Sequence, residues 1–315
     1  MPNLLSRIVD PWYPATAIGL EQGLASVVQL ERVKGKACRL KRAASSGIGD
    51  SVIQPSFDEP NIQNAAQLAA VLKDLATSAG LMRQKRWSLS LPEATARTVV
   101  FTMESQLQSA GELKDVLRWK VERSFGLPLE ELSVSRERLQ KDAQGRDRYL
   151  AVAVKKSVLA EYEHVLESLG WRAGLILPRH LGEAQWLMRN GWAGDSLLIS
   201  VSSQGFTGIV FRDRHPLILR SVNCAETEFE DEFYRFLLFY RDRNVPEDAA
   251  GNVPLARLMV IGEGITKERA REIVNETTGG DLRPVVAEDL GLQLPTRELS
   301  FDSIAAPAGL ATLSW

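Results

Sequence analysis

The side-chain types that most often carry chemistry are sparse and scattered along this chain. Three histidines, His164, His180 and His215, fall on a predicted helix, in the stretch after Pro178 and in a turn, and no two are spaced to share a metal ion. Each is expected to be a surface or capping residue. Cys38 and Cys224 stand far apart with no CxxC pattern, so neither a disulfide framework nor a zinc site is signalled. Ser202, Ser203 and Gln204 form a polar cluster with no neighbouring His to act as a base, and no GxSxG elbow occurs. What remains is glycine. Gly19, Gly23 and Gly205 lie in two short apolar segments and Gly262-Glu263-Gly264 follows a third, places where glycine supplies a turn requiring positive φ or a close backbone approach.

These turns must be held by regular elements. Residues 17–31, AIGLEQGLASVVQLE, read as a hairpin turning at Gln22 and Gly23. Residues 197–222 read as a buried strand, a Ser/Gln/Gly turn, a second strand, and a His215-Pro216 turn into a third. The related strings QGLASVV and QGFTGIV, at 22–28 and 204–210, suggest an internally duplicated α/β fold. Between the hairpins, Ile62, Ala65, Ala66, Leu68, Ala69, Leu72, Leu75 and Ala76 mark one stripe of a helix stopped by Gly80. Trp87, Leu89 and Leu91 alternate with polar residues, as in a half-exposed strand. A compact α+β module follows, with a strand near TVVFTM, a helix over 105–125, strands near 133–139 and 149–154, and a closing helix through Val158, Tyr162 and Leu166. After the second hairpin comes a helix with Phe229, Phe233, Phe236, Leu237 and Tyr240 on one face. LARLMVIGEGI, RPVVAEDL and SIAAPAGLATLSW predict a strand with its glycine turn, another strand, and a terminal helix of small residues.

Bulk composition narrows the function classes. The chain has 315 residues, 44% hydrophobic and 25% charged, enough for two domains with their own cores. A net charge of −2 carries no basic field for nucleic acid. The first residues, broken by Asp10, Pro11 and Pro14, do not form a signal peptide, and no stretch reaches the roughly 18 apolar residues of a membrane span. Trp12 and Tyr13 are expected in a loop tucked against the core. A reducing cytoplasm fits, and attachment to a membrane would need another protein.

LRWKVERSFGLPLEEL at 117–132 is the most specific stretch, with Arg118, Trp119, Glu122, Pro128, Leu129 and Glu131 at the positions of a motif in the PilM-like proteins of type IV pilus assembly. AVAVKKSVLAEYEHVLESLGWRAGLI and the helix residues Glu232, Arg235, Leu237 and Tyr240 match further segments, so the chain resembles the FtsA and PilM branch of the actin-like ATPases over nearly its whole length. The cytoplasmic part of GspL, from type II secretion, is a near relative, although GspL continues into a transmembrane segment and this chain stops at Trp315. The resemblance implies an α/β, duplicated actin-like (RNase H-like) ATPase fold with an inserted small α+β subdomain. It divides the chain into an N-terminal extension (1–14), a first subdomain (15–95, 179–195 and 301–315), an inserted subdomain (96–178) and a second subdomain (196–300).

In the family, an Asp-x-Gly with a following Lys, a second Asp-x-Gly and a glycine turn against the adenosine hold Mg-ATP. Here the first motif reads Glu21-Gln22-Gly23 with Val28 in place of Lys, the second is aligned with Ser200-Val201-Ser202, and Gly262 and Gly264 flank Glu263 in the third. A register matching Gly23 to Gly205 differs from this by three residues. Gly19, Glu21, Gly23, Ser200, Ser202, Gly205, Gly262 and Gly264 therefore outline a vestigial nucleotide cleft, with no catalytic or metal-binding residue expected. No cofactor is expected, Mg-ATP being the ligand such a cleft would hold in an intact relative. The implied function is a cytoplasmic scaffold, held at the inner membrane by the N-terminal tail of a PilN-like bitopic protein and in reach of other pilus platform or motor ATPase components. The tail would dock between the first and inserted subdomains, and self-association is left open. An active ATPase or small-molecule kinase of the same fold is the alternative. Trp119 and the aromatics from Phe229 to Tyr240 are expected in the core, although an exposed aromatic in the inserted module would suit peptide docking.

Overall fold

The computed structural model of the chain describes residues 13–33, 35, 37–103, 110–142, 144–190, 192–244, 255–279, 282–295 and 299–315. Thr16–Glu21 (β1) and Leu24–Arg32 (β2) form the first hairpin, and Cys38–Gly47 (β3) extends it antiparallel to β2. Helix Ala65–Ser78 (α1) leads to Arg86–Leu91 (β4), which lies parallel to β1. Arg97–Met103 (β5), Ala110–Phe125 (α2), Leu132–Leu139 (β6) and Asp147–Lys155 (β7) make a separate sheet in the order β5-β7-β6. Lys156–Ser168 (α3) and Arg172–Pro178 (β8) return to the first sheet, where β8 pairs in parallel with β4. Arg179–Asn190 (α4) leads to Asp195–Ser202 (β9), Gly205–Arg212 (β10) and His215–Asn223 (β11), an antiparallel set. Phe229–Asn244 (α5), Leu255–Ile261 (β12) and Lys267–Thr278 (α6) follow, with β12 parallel to β9. Leu292–Gln293 (β13) and Phe301–Ala311 (α7) complete the chain.

The sheets are stacked with helices between and outside them. The first sheet has the order β13-β3-β2-β1-β4-β8 and the second β11-β10-β9-β12. One core joins α1 and α3 to the outer face of the first sheet through Leu68, Leu72, Tyr162 and Leu166, with Trp87 and Trp171 in ring contact at 5.0 Å. A second core lies between the two sheets, where α4 and α7 meet Val28 and Leu40 on one side and Leu198 and Met259 on the other. A third buries Phe229, Phe233, Phe236, Leu237 and Tyr240 of α5 with Ala270 and Ile273 of α6 against the far face of the second sheet. Large apolar side chains removed from water in this way contribute about 2 kcal/mol each. Each half thus repeats a hairpin, an added antiparallel strand, a covering helix and a parallel return strand.

Several expectations are corrected by packing. β4 is not half-exposed: it runs between two parallel neighbours, and Ser88 and Ser90 are buried with Trp87, Leu89 and Leu91. α3 and β8 fell within the range 96–178 assigned to the inserted subdomain, yet they pack on and pair with the first sheet, because the apolar stripe of α3 meets α1. β13, within the range 196–300, adds to the edge of the first sheet beside β3. RPVVAEDL forms no strand and makes one parallel bridge, Leu258 to Pro284. The turn before β11 is Asp213-Arg214, both with positive φ, so Pro216 lies inside the strand at a bulge. Ala65 and Ala66 face solvent, since α1 buries only its Leu68, Leu72, Leu75 and Ala76 edge. Residues 105–109 of the predicted helix and Trp12 of the N-terminal pair lie outside the described residues. Among the described residues, no helix is long and apolar enough to cross a membrane.

Candidate functional site

Both hairpins point their turns into one cleft of about 920 Å³, and Ser203 Oγ of the second donates to Gln22 Oε1 of the first at 3.0 Å. Each closes with a two-residue turn: Glu21 pairs with Leu24 around Gln22-Gly23, and Ser202 pairs with Gly205 around Ser203-Gln204. Equal turn lengths fix the correspondence between the halves. Gly19, opposite Ser26, matches Ser200, opposite Thr207, and Glu21 matches Ser202. The register that set Ser200 against Glu21 is therefore displaced by two residues, and the one that set Gly205 against Gly23 by one. Ser202 is the residue that stands where the first hairpin has its carboxylate.

Of the eight residues read from sequence, seven line the cleft, while Ser200 is fully buried behind it in β9. The glycines answer to packing. Gly19 has no positive φ, and a Cβ there would meet the Pro307 ring of α7 at 2.8 Å. At Gly262, with φ of 106°, a Cβ would overlap the Val201 carbonyl and lie 2.9 Å from Arg179 Nη2. The missing side chain of Gly262 is the space through which a guanidinium enters.

That guanidinium, on the first turn of α4, was not foreseen from sequence. Arg179 donates Nε to Glu183 Oε1 at 2.6 Å and Nη1 to the Val201 carbonyl at 2.8 Å, and its Nε lies 3.4 Å from Glu21 Oε1. Arg179 and Glu183 stand four residues apart on one helix face, a spacing visible in the sequence but indistinguishable there from a solvated surface pair. Glu183 is 0% exposed, and neither its Oε2 nor the nearby Ser200 hydroxyl completes a hydrogen bond with any described residue. Burial raises the Glu183 carboxyl, with Arg179 opposing. Glu21 is pushed up to about 8, because burial, with repulsion from Glu183 and Glu93, outweighs the attraction of Arg179.

A carboxyl that stays protonated in the fold but ionises near 4.5 when unfolded binds more protons folded, so stability falls as pH rises from about 4.5 to about 8. The Glu21 side chain keeps 24% of its surface open to the cleft. Solvent there moderates the effect to roughly 2–4 kcal/mol. Glu21→Gln removes it. Urea denaturation from pH 5 to 8 is expected to show a flatter stability profile for the variant, with a gain of about 2 kcal/mol at the alkaline end; an unchanged slope would exclude Glu21 as its source.

Beside this group, His180 is buried at 1% exposure rather than capping or facing solvent, as the sequence reading had it. Its Nδ1 lies 2.8 Å from Glu93 Oε1 and its Nε2 2.9 Å from Thr98 Oγ1, while the Thr207 hydroxyl donates to Glu93 Oε1 at 2.5 Å. Burial would raise Glu93, but the pairing with His180 and the Thr207 hydrogen bond outweigh it and hold the carboxyl low. Thr98, His180 and Glu93 have the spacing of a nucleophile, base and orienting acid. Thr98, however, is 7% exposed and does not line the cleft, so the set ties β5, α4, β10 and the turn after β4 together.

No protein-family model matches the chain, and no curated protein matches it. Among solved structures it is similar to the PilM-PilN type IV pilus biogenesis complex, at 15% identity over 96% of this chain and 98% of that one, with a TM-score of 0.74. It is also similar to a protein from Bacteroides thetaiotaomicron described as having an actin-like ATPase fold, at 12% identity over 96% and 98% of the chains and a TM-score of 0.51. This chain has the actin-like ATPase fold. The cytoplasmic domain of EpsL, an inner-membrane component of the Vibrio cholerae type II secretion system, is a third neighbour at 11% identity, 95% of both chains and a TM-score of 0.50. The cleft between the two hairpins is lined by most of the residues expected to outline a vestigial nucleotide cleft.

Proposed function

We propose that this protein is a cytoplasmic scaffold of a type IV pilus or type II secretion assembly platform, docking the N-terminal tail of a PilN-like membrane protein and held at the inner membrane by it. The likeness to the PilM-PilN complex over nearly both whole chains supports the reading. The observation that carries it is the corner built by the stretch at 117–132. Arg118 bridges Glu122 at 3.1 Å and Glu130 at 2.5 Å, and Glu122 Oε1 also accepts from the Leu129 amide at 3.1 Å. These contacts fix the end of α2 against the turn after it. Trp119 is left 53% exposed, contrary to the expectation that it is core, with Arg123 stacked 5.1 Å from its ring. An aromatic held at the surface on a rigid element is the kind of anchor a short peptide uses.

The cleft residues argue against Mg-ATP as the working ligand. Val28, where the family has Lys, is buried between the sheets. Ser202 offers no charge to a metal-bound water, and a Glu21 that holds its proton near neutral pH is a poor metal ligand. These features support a reading in which Mg-ATP binding and hydrolysis are impaired. Synthetic N-terminal tails of candidate membrane partners are expected to capture the protein, and Trp119→Ala to weaken capture by about tenfold, or ~1.4 kcal/mol, with an unchanged melting temperature. Failure of every tail would sink the docking reading, while saturable Mg-ATP binding with turnover would favour an active ATPase.

A further inference from the structure

The charge of the cleft is opposite to what a polyphosphate requires. Among the described residues, six acidic side chains line it, Glu21, which holds its proton near neutral pH, together with Asp50, Glu93, Glu226, Glu263 and Asp302, against one guanidinium, that of Arg179, whose Nε and Nη1 are already engaged by Glu183 and the Val201 carbonyl. Glu93 is matched by His180 and Asp302 by Lys267 at 2.8 Å. Asp50, Glu226 and Glu263 make no ion pair with any described residue. A second feature points to an occupant. Ser90, 1% exposed and lining the cleft from the end of β4, has a hydroxyl without a hydrogen-bond partner among the described residues, a cost of about 1–3 kcal/mol that a bound donor or acceptor would relieve.

We propose that the cleft binds an organic polycation, a molecule or segment presenting two or more separated amine or guanidinium groups. A volume of about 920 Å³ takes a ligand of that size. Its carboxylates are spread over the β1–β2 turn, the loop after β3, the turn after β4, the segment before α5, the β12–α6 turn and the start of α7. Among the described residues, no three Asp, Glu, His or Cys side chains are grouped closely enough to hold a metal ion. Dispersed acids suit a flexible chain with spaced charges better than a compact divalent ion. A cation beside Glu21 would favour its ionised form against the burial, Glu93 and Glu183 that now oppose it, adding to Arg179. The Tyr162 phenol, which also feels Glu21, stays neutral. Binding is therefore accompanied by proton release and strengthens as pH rises. The inference stands whether or not the scaffold reading does.

Spermidine and a short Lys/Arg peptide, titrated separately into the full chain by calorimetry at physiological salt, test it. Saturable binding is expected, with a heat that varies with buffer ionisation and an affinity that rises several-fold between about pH 6 and about pH 8.5. The variant Asp50→Asn/Glu226→Gln/Glu263→Gln, changed only at exposed side chains, is expected to lose about tenfold in affinity while melting as the wild type does. Glu21→Gln is expected to bind without the pH dependence. Spermidine alone binding points to a free polyamine, and the peptide alone to basic side chains of a partner; either supports the proposal. No saturable heat from both, or equal affinity in the triple variant, would overturn it.

Discussion

Arg179→Met is expected to destabilise the protein by about 3–5 kcal/mol at neutral pH, more than any other change to the cleft. The figure comes from what is left behind rather than from the worth of the ion pair. Glu183 is fully buried, one of its oxygens lacks a partner among the described residues, and the other depends on Arg179 Nε at 2.6 Å. Removing the guanidinium strands that carboxylate in the interior, and an uncompensated buried charge costs several kcal/mol. The carboxyl answers by holding its proton still more tightly than burial already makes it. With the folded value raised above the unfolded one, the deficit grows as pH rises from about 4.5 and shrinks below it. Urea denaturation at pH 5 and pH 8 checks the sign. Glu183→Gln in the Arg179→Met background removes the stranded charge and is expected to recover about half the loss. If the single variant were as stable as wild type at pH 8, the guanidinium would not be compensating Glu183. A smaller loss reaches the cleft wall, because Nη1 also ties α4 to the Val201 carbonyl.

The hairpins and the aromatic helix were legible because their signals are local. Alternation around a glycine turn predicts β1 and β2, and the spacing of Phe229, Phe233, Phe236, Leu237 and Tyr240 predicts the buried face of α5. The strand β4 was misread because serine looks polar in any one-dimensional pattern, whereas a central parallel strand is covered on both faces, here with α4 and α7 also packed against it, and Ser88 and Ser90 are buried. The stripe of α3 reads equally well against either neighbouring core, and only the fold shows that α1 receives it. In the cleft, glycine positions were found but their cause was not, since a Pro307 ring over Gly19 or a guanidinium beside Gly262 comes from residues hundreds or tens of positions away. Arg179, Glu183 and His180 were missed for a common reason. Charged and polar residues are expected at the surface, and nothing in their spacing reveals that three sheets close around them.

Gly309→Ala is expected to cost about 3 kcal/mol although it adds one methyl group and leaves the helical backbone conformation allowed. Helices α4 and α7 cross with no side chain between them: a Cβ on Gly309 would overlap the Gly182 carbonyl oxygen and lie 3.2 Å from Trp186 Nε1, and one on Gly182 would lie 2.5 Å from the Ala306 carbonyl oxygen. Neither neighbour can yield as a flexible side chain would, because both are backbone. The helices must separate, which loosens the core between the two sheets and strains the bond from Trp186 Nε1 to the Ala305 carbonyl, now 2.8 Å. Gly126→Ala supplies the contrast. Gly126 has φ of 75° with no atom of a described residue within 4 Å of a Cβ, so its cost is that of a left-handed alanine, about 1 kcal/mol. Comparing the two by chemical denaturation separates steric overlap from backbone strain, and equal losses would refute the close crossing. Because Arg179 begins α4 and Ser300 to Pro307 form the other wall of the cleft, the separation forced by Gly309→Ala also widens the site. Whatever ligand occupies the cleft should therefore bind less well to Gly309→Ala than its loss of stability alone explains.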